Sequence, residues 1–85
     1  MFDKLKQLKR LKDFEDSLNK ERLEKEINGT KVIINGKTEI ISISLNPELS
    51  KEKQEEVLKE CINSVSHEAK MIMAKKAQEI SGMGF

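Results

Sequence analysis

One histidine and one cysteine occur in the 85 residues, so reaction or metal chemistry would have to be built from His67, Cys61 and carboxylates. A metal cage needs further His or Cys ligands at close spacing, and none stands near either residue. At 100° per residue, His67 falls about 160° from the centre of the apolar stripe on its own helix, which makes it a solvated surface residue. Cys61 lies on that stripe, between Glu60 and Ile62. A reactive thiolate wants an exposed, electropositive setting, so this one reads as a small buried hydrophobe. Glu55 and Glu56 read as the wet face of a helix, not as an acid–base dyad. Gly29 and Gly36 sit in turn sequences and Gly82-Met83-Gly84 precedes no helix, so no phosphate-cradling loop is expected. Met71, Met73 and Met83 fit packing and tail positions better than a promiscuous groove. With no nucleophile, base or ligand constellation, the chain is not expected to be an enzyme or to carry a cofactor or metal.

The remaining chemistry is charge. Net charge is only +1, but it is segregated. Residues 1–12 hold Lys4, Lys6, Lys9, Arg10 and Lys12 against Asp3, whereas Asp13, Glu15, Asp16, Glu21, Glu24 and Glu26 follow with Lys20, Arg22 and Lys25 among them. In "FDKLKQLKRLKDF" apolar residues recur about every third place between the bases, and three readings compete: a polyanion-binding helix, a membrane strip, or a core helix with a basic outer face. The membrane reading is weakened by Asp13, Glu15 and Asp16, and by the need for the leucines to cover the sheet. With three Phe and no Trp or Tyr, no aromatic platform for single-stranded bases is expected. On composition the core-helix reading stands level with polyanion binding, and duplication of the charges in a dimer favours binding to phosphates. Lys6, Lys9 and Arg10, joined by Lys70 and Lys75 on the outer face of the second helix, are the electrostatic candidates. If about half of the basic residues of a dimer reached phosphates, the salt slope would be roughly −6. No helix-turn-helix, zinc-finger or basic-zipper spacing is present, so any sequence preference would act through shape.

The elements that must position these charges are legible from periodicity. Residues 2 to about 23 lack Gly and Pro and carry Leu5, Leu8, Leu11, Phe14 and Leu18 at helical spacing. Residues 24–30 lose the pattern and end in the turn pair Asn28-Gly29. "KVIINGKTEIISISL" reads as an antiparallel hairpin with a two-residue type I′ turn at Asn35-Gly36. In that register Val32, Ile34, Ile41, Ile43 and Leu45 share one face, whereas a three-residue loop would set the two apolar sets on opposite faces. Ile33 and Ile40 are expected on the polar face. Pro47 marks a turn, Ser50 an N-cap, and a second helix runs to about residue 80 on a seam of Leu58, Ile62, Val65, Ala69 and Ile72, widened by Cys61 and Met73. Lys76 interrupts the seam.

The expected class is α+β: a long N-terminal helix, a hairpin and a long C-terminal helix in a single domain of residues 1–80, with a flexible Gly-containing tail at 81–85. A helix of about 30 residues spans about 45 Å, longer than a compact globule of this size is wide. Its uncovered seam makes a homodimer the default. No signal peptide, lipidation motif or membrane-spanning run is visible, so a cytoplasmic location is expected.

The order "MFDKLKQLK", "KVIINGK", "ISLNPEL" and "LKECINSVSHEAKMIMAKKAQEISGMGF" resembles the YbaB/EbfC family of bacterial nucleoid-associated proteins over nearly the whole chain. Asn35-Gly36 matches that family's hairpin turn, Asn46-Pro47 its usual Asp-Pro, Asn63 and Ala69 its small or polar positions in the second helix, and Gly82 the start of its Gly-rich tail. The family has a further strand and a longer glycine-rich connection ahead of the first of these strands. Only "EINGT" stands there in this chain, so two strands or three remain open, with residues 24–27 the candidate third. The resemblance implies a tweezer-like homodimer that binds double-stranded DNA with little sequence preference, in the nucleoid, with a role in chromosome organisation or gene regulation. It implies no catalytic residues, and the five basic candidates are not inherited from it. The alternative, from another class, is a dimeric protein-binding adaptor using the Ile33/Ile40 face or the Met-bearing helix.

Overall fold

The computed structural model describes residues 2–81; the expected tail residues Gly82, Met83, Gly84 and Phe85 lie outside them. The chain is α+β, with α1 (Phe2–Lys20), β1 (Leu23–Ile27), β2 (Thr30–Ile34), β3 (Ile40–Ser44) and α2 (Lys51–Ser81). The strands form one antiparallel sheet in the order β1-β2-β3. A third strand therefore exists, and α1 ends at Lys20 instead of near residue 23. Nothing in the sequence breaks the helix there. Pairing of Leu23 with Ile34 draws the chain into the sheet, where Leu23 is buried, and the Arg22 guanidinium closes the helix end by donating to the carbonyls of Asn19 and Glu21 at 2.7 and 2.8 Å.

The tight two-residue turn lies at Asn28-Gly29, not at Asn35-Gly36. Ile27 pairs with Thr30, and Asn28 and Gly29 adopt φ of 50° and 82°, as a type I′ turn requires. Between β2 and β3 the chain makes a longer loop. The Asn35 amide donates to the Glu39 carbonyl at 3.0 Å, Thr38 takes φ 68°, and the Asn35 side-chain oxygen accepts from the amides of Lys37 and Glu39. That is a three-residue loop of the type I plus left-handed kind, organised by an asparagine side chain.

Such a loop alone would put Ile41 and Ile43 on the wrong face, as the parity argument says. A register shift between Ile33 and Ile34 prevents this: Ile34 faces Ile40, Ile33 faces Ser42 and Val32 faces Ile43, leaving Ile41 as the extra residue of a bulge. Ile40 and Ile43 therefore both share the side of the buried Val32 and Ile34. Ile40 does not join Ile33 on the polar face, as had been expected.

Gly36 serves α1, not a positive-φ turn. Its amide donates to the Leu18 carbonyl at 2.8 Å, and a Cβ there would lie 2.9 Å from that oxygen and 3.0 Å from Leu18 Cδ2. Gly36→Ala is expected to destabilise the fold by about 1–3 kcal/mol through overpacking, measured by urea unfolding. A cost under about 0.5 kcal/mol, ordinary for a surface change, would show that the end of α1 is not fixed by this contact.

The core lies between α2 and the β1–β2 half of the sheet. Leu23, Val32, Ile34, Cys61, Val65 and Ala69 form it, with Ile27, Leu58, Ile62 and Ile72 packed around. The buried line of α2 is Val57, Cys61, Val65 and Ala69, in steps of four. Val65 and Ala69 are buried as the expected seam had them, but Cys61 is central and Leu58 and Ile62 are marginal. A helix laid on a sheet uses one broad face, and the core of α2 packs on strands, which demand no heptad. Each fully buried Val or Ile contributes about 1.5–3 kcal/mol relative to exposure. At the open end of this layer, Asn46 donates to the Asn28 carbonyl at 2.8 Å, Gln54 donates to the Asn46 carbonyl at 2.7 Å, and the Thr30 hydroxyl bonds Gln54. Ser50 caps α2, its hydroxyl accepting from the Lys53 amide at 3.1 Å.

Candidate nucleic-acid interface

Burial along α1 is greatest near its C-terminal end. Leu18 is buried and Phe14 and Ser17 are half-buried, while Leu5, Leu8 and Leu11 are 62%, 63% and 52% exposed. The expectation that these leucines cover the sheet is therefore wrong within one protomer, because α2 alone spans β1 and β2. The result is a rod, 59 × 18 × 13 Å, with a radius of gyration of 16.9 Å, where a compact chain of this length would have about 12 Å.

The part of α1 ahead of that buried end is the basic part. Lys4, Lys6, Lys9 and Lys12 are exposed and Arg10 is half-buried. Residues 4–12 cover about 12 Å of helix axis, a length over which duplex DNA presents about seven phosphate charges. Lys70 and Lys75 are exposed on α2. The five candidates thus divide into a group of three on α1 and a pair on α2. Between the helices stands an acidic recess lined by Asp13, Asp16, Ser17, Lys20, Glu21 and Lys76. Lys76 is engaged there, donating to Ser17 Oγ and pairing with Glu21 at 3.1 Å.

The two sheet edges are chemically opposite. β1 presents Glu24, Lys25 and Glu26, all exposed, with Glu24 paired to Lys31 at 3.3 Å. Such charges blunt an edge against further strand pairing. β3 presents Ile40, Ile41 and Ile43, with Leu45 just beyond, 44–53% exposed. Its inner face continues into a groove lined by Leu45, Pro47, Leu49 and Glu55, and from Glu55 to Leu58 and Ile62. From sequence, Ile41, Ile43 and Leu45 are expected on the apolar face of the sheet and Leu58 and Ile62 on the seam of the second helix. The signal that could have found the bare edge was already present: one α2 face about 10 Å wide covers two strands, and the strand left bare was the one without charges.

His67 is exposed, and Cys61 is buried with its thiol 3.6 Å from the Thr30 carbonyl. Burial pushes the Cys61 thiol above its ordinary range, which keeps it neutral and unreactive. Among the described residues no group of three or more His, Cys, Asp or Glu is placed to hold a metal ion, and no helix is long and apolar enough to cross a membrane.

A family model, that of the YbaB/EbfC DNA-binding family, matches residues 1–83. No curated protein and no solved structure matches the chain.

Proposed function

This chain belongs to the YbaB/EbfC DNA-binding family, and from that premise we propose that it binds double-stranded DNA as a homodimer, through phosphates, with little sequence preference. The observation that carries the reading is the exposure of Lys6 and Lys9 on the half of α1 that precedes its buried end at Leu18. A projecting cationic rod meets the phosphate backbone without presenting an element shaped for base edges, so affinity comes from counterion release and is spread over sequences. Lys70 and Lys75 add a second contact region on α2. In the cell such binding would serve chromosome organisation or gene regulation at the nucleoid, within the cytoplasm.

Dimerisation is supported by the uncharged β3 edge. Two copies pairing β3 to β3 about a two-fold axis would make one continuous six-stranded sheet, cover Ile40 and Ile43, and leave the charge-blunted β1 strands at both outer edges. The two basic rods then belong to one particle, and the phosphate contacts double.

A salt titration on a random-sequence duplex tests this. The logarithm of the binding constant should fall linearly with the logarithm of salt at a slope of roughly −6, as about seven contacts demand, and unrelated duplexes should bind within a few-fold of one another. Failure to bind at low salt would overturn the reading in favour of a protein-binding adaptor, for which Leu5, Leu8, Leu11 and Met71, all more than half exposed, would be the contact residues.

A further inference from the structure

Lys76 stands where the apolar seam of α2 should continue after Ile72, and the reason is a contact with the other helix. Its ammonium donates to Ser17 Oγ and pairs with Glu21 at 3.1 Å, and both charged side chains are partly withdrawn from water, at 24% and 33% exposure. Asp13 and Asp16 line the same recess, so the charge of Lys76 is spent inside the molecule. The second attachment of α1 is the contact of Gly36 with Leu18. One point of attachment leaves a helix free to swing, whereas two points fix its direction.

We propose that the Lys76–Glu21 pair, with Ser17, is a clasp that sets the angle at which α1 leaves the body and so positions Lys6 and Lys9 on DNA. The inference rests on the DNA-binding reading above. Lever geometry gives the clasp its leverage: Lys6 lies about 17 Å along the helix from Ser17, so a swing of about 10° moves it by about 3 Å. That displacement is as long as a hydrogen bond, and a clasped α1 meets phosphates already oriented, without ordering cost at binding. Lys76 and Glu21 are positioning residues and touch no phosphate.

Glu21→Gln separates this from charge counting. Removal of a negative charge should by itself tighten DNA binding; loss of the clasp should weaken it, by about threefold to tenfold. Lys76→Met should weaken it likewise, and the swapped pair Lys76→Glu with Glu21→Lys, which leaves net charge unchanged, should recover binding to within about twofold. A DNA-free measurement accompanies this: nitroxides at Gln7 and Met71 in a Cys61→Ala background, diluted with unlabelled protein, should give a narrow distance distribution that broadens with Glu21→Gln. Thermal midpoints should stay near that of the parent, since the pair is partly solvated. Unchanged or tighter binding by Glu21→Gln, an unaltered distance distribution, or a swapped pair that stays weak overturns the clasp. A parent protein that binds no duplex overturns the functional reading itself, and the clasp's role with it.

Discussion

Glutamates in place of Lys6, Lys9 and Arg10 are expected to abolish duplex binding, lowering affinity by more than about 100-fold at low salt and flattening the salt slope toward zero. Lys6 and Lys9 are exposed and Arg10 is half-buried, so reversal of Lys6 and Lys9 alone serves as the companion variant that leaves the surroundings of Arg10 intact. In a dimer the triple change removes up to six contacts and introduces six repulsive charges, each working against a surface that already carries one phosphate per about 1.7 Å. Circular dichroism and sedimentation should be unaltered. The same reversal at Lys70 and Lys75 should weaken binding less, because it changes four residues of a dimer where the α1 variant changes six. If the triple variant bound as the parent does, the arm would not be the interface, and α2 would become the leading surface.

Ile43→Asp is expected to convert the dimer to monomers, raising the dissociation constant by more than about 100-fold, because a carboxylate trapped in a dry apolar contact costs several kcal/mol. Ile43 is 44% exposed in the single protomer, so the aspartate stays hydrated in the monomer and the fold persists. Sedimentation across protein concentration reads the change directly. The DNA salt slope should fall from roughly −6 to about −3 as each particle keeps one arm. A dimeric Ile43→Asp variant would mean that the copies meet elsewhere, with the bare leucines of α1 as the next surface to test.

How much of this was legible in the sequence differs by element. Both helices and the strand pair β2–β3 follow from periodicity, since α2 must bury one face whatever it packs against. The β1 strand was visible only as an absence of helical pattern, because "LEKEI" has apolar residues at its two ends alone and borrows its stability from pairing with β2. Asn35-Gly36 carried the right turn composition for the wrong reason. Asparagine is there to bond the loop amides and glycine to admit Leu18, while the type I′ geometry sits seven residues earlier at Asn28-Gly29. Lys6, Lys9, Arg10, Lys70 and Lys75 and their division between two helices follow from charge and periodicity; the structure adds that four of them are exposed and Arg10 is half-buried.

The sequence by itself determined which residues are apolar, where charge is segregated and which segments prefer helix, and hence an α+β chain with a cationic start and no reactive constellation. Tertiary structure decided which apolar residues are hidden. Burial depends on how many strands one helix can cover, and α2 reaches two of three, so Val32 and Ile34 are enclosed while Ile40 and Ile43 on the same face stay open. No local preference encodes that count. The same holds for Leu5, Leu8 and Leu11: their spacing promises a buried face, and only the placement of α1 leaves it bare.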